Sequence, residues 1–194
     1  VMEQPDYKMI EQAFVEAGTA AIDALSQSAL NDIYAFCFDI DIEQGQFSIA
    51  ANDNANYEAH CLAYEAEWGY VASEDRGIKS VRYSADEFAW FACDCDKLAK
   101  VRRLLDDLAQ QIYDYLDEDD FADEALAEVS HIEAKVLETA ISAIHALKKP
   151  MKTLNQSNDF IAFVTQNDAD NSALKGLMKA SLGEKAFRKL FTDE

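Results

Sequence analysis

The stretch that most constrains this chain is residues 31–53, NDIYAFCFDIDIEQGQFSIAAND. Residues 33–40 are rich in aromatic and β-branched side chains, too few for a free-standing helix, and bounded by Asn31-Asp32 and Asp41, which predicts a β-strand. Two-residue alternation puts Tyr34, Phe36, Phe38 and Ile40 on one face and Ala35, Cys37 and Asp39 on the other. One face is bulky and the other small. The polar run 43–46 predicts a turn, and beyond it Phe47, Ile49 and Ala51 alternate with Ser48 and Ala50 as a second strand, antiparallel to the first. A lone hairpin is marginal in water, so a further strand is needed, and FIAFVT at 160–165 is the candidate.

The segments around the hairpin read as helices. Pro5-Asp6 opens one that carries Tyr7, Ile10, Phe14, Ala17, Ala21 and Leu25 at three- and four-residue spacing. Asn52-Asp53-Asn54 can cap a helix over 55–68, and Gly69 stops it. Residues 80–83 read as a short extended piece, and Ser84-Ala-Asp-Glu87 has the spelling of a capping box opening a helix over 85–93. From Asp96, Leu98, Val101, Leu105, Leu108, Ile112 and Tyr115 form a one-faced amphipathic stripe. A second long helix carries Leu126, Val129, Ile132, Val136, Ala140, Ile144 and Leu147 inward and ends at Lys148-Lys149, whose charge suits a helix C-terminus. Short helices over 172–182 and 184–191 are separated by Gly183. The expectation is a single α+β domain over residues 1–194. A small antiparallel sheet of three or more strands is covered by helices, among them a long antiparallel hairpin with an acidic turn.

The chain has 37 Asp and Glu against 17 Lys and Arg, a net charge of −20. A field of that sign repels phosphate backbones and anionic lipid headgroups, which disfavours nucleic-acid and membrane partners. Residues 148–194 carry eight basic and six acidic residues, so residues 1–147 hold a net −22. Between Arg103 and Lys135 there is no Lys or Arg, while Asp106, Asp107, Asp114, Asp117, Glu118, Asp119, Asp120, Asp123, Glu124 and Glu128 all fall there. Such a run is either a solvated helical face or a docking surface for a basic protein, with Asp114, Asp117, Glu118, Asp119, Asp120 and Asp123 at its centre. The first residues, VMEQPDYK, lack the basic and apolar regions of a signal peptide, and a cytoplasmic location is the expectation. Oligomeric state is not set by the sequence.

Candidate chemistry is sparse. Glu128-x-x-His131 has the spacing of carboxylate-bridged metal sites in helical bundles, but such a site uses a second copy and His145 has no Glu three residues before it. A surface Glu/His pair is the plainer reading. Cys93-Asp-Cys95 and His60-Cys61 lack the spacer of a zinc site, and the four cysteines have no disulfide framework. No glycine-rich phosphate loop, nucleophile elbow or HExxH string is present, so neither a cofactor nor a familiar catalytic apparatus is expected. Arg82 is the most informative single residue. Its plainer reading is a fork with Asp86 or Glu87; the other is a hold on an anionic ligand in a pocket that Trp90 would help to line, although with Phe88 and Phe91 that Trp reads first as core.

Three short pieces together have a familiar order and spacing: Tyr34-Ala-Phe36 followed by the turn and Ala50-Ala-Asn52; Arg82-Tyr-Ser84-Ala-Asp-Glu-Phe88, close to an Arg-aromatic-Ser-x-x-x-Trp pattern with Phe88 in the Trp position; and Asn158-Asp-Phe160 with Phe163-Val164. Over roughly residues 6–190 the chain resembles the bacterial family catalogued as domain of unknown function 4303. The resemblance implies an α+β domain without assigned catalysis among small standalone proteins, and an immunity-type role against a secreted toxin is one expectation it raises. The residues thus leave two functions open, a binding protein for a basic partner and a small-ligand binder or enzyme with a pocket near Arg82.

Overall fold

The computed structural model describes residues 2–75, 77–118, 122–166 and 169–191. The hairpin forms as β1 (Ile33–Asp41) and β2 (Gln46–Asp53), antiparallel and joined at Gly45. Gly45 has φ +63, and a Cβ there would come within 2.6 Å of the Asp106 backbone, so the turn needs glycine both for its conformation and for its seat on a helix. The third expected strand is present and longer, as β4 (Gln156–Gln166). It runs parallel to β1, whereas the sequence led us to expect an antiparallel partner. Alternation patterns fix which face a strand buries and carry no information about its direction. A two-residue strand β3 (Trp90–Phe91) pairs antiparallel with β2, and the order across the mixed sheet is β3-β2-β1-β4.

Seven helices complete the described chain: α1 (Tyr7–Leu25), α2 (Asn54–Trp68), α3 (Asp96–Glu118), α4 (Asp123–Ala146), α5 (Lys148–Met151), α6 (Asn171–Leu182) and α7 (Glu184–Leu190). Their ends follow local chemistry. Asp6 accepts the Met9 amide at 3.0 Å, Asp53 accepts the Asn56 amide at 2.8 Å, and Gly69 closes α2 at φ +66. The expected helix over 85–93 is not one. Ala85–Glu87 makes a single 3-10 turn, the Ser84 side chain does not cap it, and the chain goes straight on to β3. Residues 81–83 form a turn where an extended piece was expected. Edge pairing with β2 supplies backbone partners that a helix too short to nucleate could not. None of the helices among the described residues is long and apolar enough to cross a membrane.

The sheet divides two cores. On the bulky face, Phe36, Phe38, Ile40, Phe47 and Ile49 meet α1, α3 and α4. Phe14 of α1 stacks on Phe38 at 5.8 Å and meets Phe47 at 5.2 Å. Gly18 lets α1 approach so closely that a Cβ there would overlap Leu147. The helical hairpin of α3 and α4 covers this face together with α1, which packs more extensively on each of the two than they pack on one another. The inward stripe of α4 runs through Ala125, Val129, Ile132 and Val136, so Leu126, expected inward, is exposed. On the other face, Ala35, Cys37, Ala50 and Phe163 are covered by Ile78, Ala85, Phe88, Met178 and Phe187, contributed by the 77–88 segment, α6 and α7.

Tyr34 belongs to this second face, opposite to the simple alternation. Ile33 pairs with Asp53 but Ala35 pairs with Asn52, so Tyr34 is one residue extra in β1. A bulge of this kind shifts the phase of everything before it and leaves Tyr34 and Ala35 on the same side. The irregularity is matched on β4, where Ile33 pairs with Gln156 and Ala35 with Ile161, so residues 157–160 loop away from the ladder.

Candidate functional site

The double irregularity at Tyr34 brings a cluster of polar residues together around Arg82. The Tyr34 hydroxyl donates to the Arg82 carbonyl at 2.8 Å and accepts from Asn52 Nδ2 at 3.2 Å. The Arg82 guanidinium lies over the Tyr34 ring at 4.1 Å and the Tyr57 ring at 4.8 Å. Its Nη2 donates to Asp159 Oδ2 at 2.5 Å and to Asn54 Oδ1 at 3.3 Å. Asp159 sits in the 157–160 excursion of β4, and Ser157 Oγ holds its other oxygen at 2.6 Å. Burial works against the Arg82 charge, but Tyr83, Asp159 and Tyr34 outweigh it and raise its pKa. For Asp159, burial is again the largest influence, and Ser157 and Arg82 overcome it to lower the carboxyl pKa. The Arg82 side chain is 17% exposed. Arg82 therefore pairs with a carboxylate, but through Nη2 alone and with Asp159, distant in sequence, in place of Asp86 or Glu87. Neighbours in sequence were the only candidates visible before the sheet was known.

The other residues singled out near Arg82 point elsewhere. Glu87 accepts the Tyr64 hydroxyl at 2.7 Å and pairs with His60 Nε2 at 2.9 Å, which ties the inner side of α2 to the 84–88 segment. Trp90 lies in β3, half-buried against the larger core, Phe88 is buried in the smaller one, and Phe91 is exposed. Asp86 turns toward the C-terminal ends of β1 and β4. There, a cavity of about 250 Å³ is lined by Asp39, Asp86, Lys79, Tyr83, Ser84 and Thr165 among others. A second hollow of about 430 Å³ shares Asp39 and Asp86 and adds Asp41 and Arg102. The carboxyl ends of parallel strands are where open sheets commonly leave a crevice. Burial, with help from Asp86 and Asp41, pushes the Asp39 carboxyl up to about 6. Alternation along β1 puts Asp39 on the small face, but its neighbours there come from segments that sequence spacing does not connect. An acid among Ala35 and Cys37 on a face that is otherwise covered was the available signal.

The acidic hairpin is solvated along its described length. Asp106, Asp107, Asp114, Asp117, Asp123 and Glu124 are exposed, and none enters an ion pair among the described residues. Asp119 and Asp120 lie outside the described residues, as does the side chain of Glu118. Glu128 is a joint, accepting the Met2 amide at 3.2 Å and the Tyr115 hydroxyl at 2.7 Å. His131 is exposed, and no three His, Cys, Asp or Glu side chains among the described residues are grouped so as to hold a metal ion. Cys37 and Cys61 are buried, Cys93 and Cys95 exposed, and all four are free thiols.

These features define a small α+β protein with a mixed four-stranded sheet, a polar joint at the bulged end of the central strand and an acidic hollow at the other. Over residues 14–180 the chain matches the family model described as Domain of unknown function (DUF4303), and it belongs to that family. No curated protein and no solved structure matches it.

Proposed function

We propose that this is a non-catalytic binding protein that captures a basic protein partner through its acidic surface, in the manner of a cytoplasmic bacterial immunity-type inhibitor. The observation that carries the reading is the row of exposed, unpaired carboxylates on the helical hairpin, within a chain of net charge −20. Carboxylates without a local cation stabilise the fold little, and together they steer a partner of opposite sign. Such steering is screened over roughly 8 Å at physiological salt, so the association rate should fall steeply as salt rises while dissociation changes less. The test uses wild-type protein and a variant with Asp117, Asp119, Asp120 and Asp123 replaced by Lys as paired baits in the host lysate, followed by rate measurements on the captured partner. A basic partner lost on charge reversal is expected. A folded variant that binds the same partner with unchanged rate and salt dependence overturns the reading.

A second reading is favoured by the cavity beside Asp39 and Asp86, which follows Arg82 in the chain and would suit a small cationic ligand. Arg82 itself would support the wall and leave contact to the two carboxylates. A saturable thermal shift with a simple alkylamine, lost in Asp39→Asn, is the result this reading expects.

A further inference from the structure

Helix α2 is held differently from every other long helix. Of its 15 residues only Cys61 is buried, whereas α1 buries eight of 19. Its inner side is tied down by His60 and Tyr64 through Glu87, and by Tyr57, whose ring meets that of Tyr34 at 5.8 Å. Its outer side carries Leu62 at 67% exposure and Trp68 at 70%, and the chain just beyond it leaves Tyr70 and Val71 exposed. Glu58, Cys61, Leu62, Glu65 and Trp68 recur at helical spacing and form one stripe. Beside that stripe runs a groove of about 280 Å³, lined by Tyr57, Glu58, Cys61, Leu62, Glu65 and Ser73.

Charge selects the occupant. Residues 54–75 contain Glu58, Glu65, Glu67, Glu74 and Asp75 and no Lys or Arg. A second copy of the chain would set these carboxylates against their own kind, and an anionic membrane would be repelled in the same way. Glu58 and Glu65 are seven residues apart, about 10 Å along the axis, with Leu62 between them. That pattern complements a helical partner segment with basic residues seven apart and an apolar side chain between. We infer that the groove of α2 docks such a segment, its apolar side chain entering between Tyr57, Cys61 and Leu62 and its basic residues lying over Glu58 and Glu65. The inference rests on the reading of the protein as an acidic binding protein, and it assigns the close contact to α2 while the helical hairpin supplies long-range attraction.

The experiment uses Trp68 as its own reporter in the full chain carrying Trp90→Phe, which leaves one indole. Two synthetic probes of equal charge are titrated: a Lys/Leu peptide of amphipathic helical periodicity, and the same peptide with Leu replaced by Gln. The Lys/Leu peptide is expected to shift Trp68 emission to the blue and to bind more tightly than the Gln version by about tenfold or more. Leu62→Glu, at an exposed position that does not disturb folding, is expected to remove that preference although it adds negative charge. Equal binding of both peptides, or Lys/Leu binding unchanged in Leu62→Glu, overturns the groove and leaves the acidic-partner reading standing. Failure of both peptides to bind overturns both. Trp68 emission that is blue-shifted without peptide and depends on protein concentration overturns the inference in favour of self-association.

Discussion

On one face of the sheet, Phe36, Phe38, Phe47 and Ile49 meet three helices through a core of aromatic and aliphatic side chains, to which Arg102 of α3 adds a hydrogen bond to the Phe47 carbonyl at 3.0 Å. On the other, small residues leave room for segments that are fastened by Tyr34, Asn52, Arg82 and Asp159 at one end and that leave Asp39 and Asp86 facing a cavity at the other. The first face gains stability from burial, which is non-directional and nearly insensitive to pH and salt. The second has a smaller apolar core of its own, with Phe88, Phe163 and Phe187, and adds directed hydrogen bonds and charges, which position residues well but respond to pH and carry less net free energy. Positioned polar groups and cavities accordingly lie on the second face, while the first supplies the rigid support.

The comparison can be broken most severely at Phe38, fully buried and in ring contact with Phe14, Phe36 and Phe47. Phe38→Ala is expected to cost about 4 kcal/mol in urea unfolding, with little dependence on pH or salt. Arg82→Met on the opposite face should cost less, about 2–3 kcal/mol, through loss of two ring contacts and a charged hydrogen bond. Its cost should depend on pH. Because the Asp159 pKa is lowered in the fold, its contribution is present above the ordinary carboxylate range and is lost as pH falls through the folded value, so variant and wild type should converge in acid. Equal losses across pH for both variants would show that the two faces are not held by different forces.

Asp39 sharpens the contrast in the other direction. Its carboxyl is pushed up to about 6 from an ordinary value of 3.8, so the native state holds an extra proton between those values and stability falls as pH rises through that window. Asp39→Asn is therefore expected to stabilise the protein at pH 7.5 by about 2 kcal/mol and to have no such benefit below about pH 4. Paired thermal melts at the two pH values measure this. The smallest effect is expected at the edge of β4, where Ser181 Oγ accepts the Val164 amide at 3.1 Å and donates to the Leu177 carbonyl at 2.8 Å. Ser181→Ala leaves that strand amide unpaired and should cost about 1–2 kcal/mol, with faster hydrogen exchange at Val164 as its local signature.

Much of the helical layer was legible because its information is local. The stripe from Leu98 to Ile112, the caps at Asp6 and Asp53 and the stops at Gly69 and Gly183 each depend on residues within a turn or two of one another. The hairpin was legible for the same reason. What escaped depends on distant partners: the direction of β4, the pairing that turns 90–91 into a strand, and the bulge that moves Tyr34 to the other face. The candidate site suffered most. Arg82 stands out in the sequence as able to hold a carboxylate, but its partner, Asp159, is reachable only once β4 lies beside β1. Asp39 and Asp86 are likewise joined by sheet geometry that no spacing in the chain encodes.

The place of β4 beside β1 also sets an order of events during synthesis. The central strand, ending at Asp41, leaves the ribosome well before the neighbour that completes its pairing, which starts at Gln156. At ordinary translation speeds the interval is on the order of ten seconds, far longer than a hairpin needs to form. Throughout it, β1 and β2 present an unpaired edge flanked by Phe36, Phe38 and Ile40. That edge is the kind that recruits other strands, so the nascent chain is expected to depend on chaperones until β4 arrives. The Arg82–Asp159 pair cannot exist before that moment, which makes it a late latch that closes only on a completed sheet.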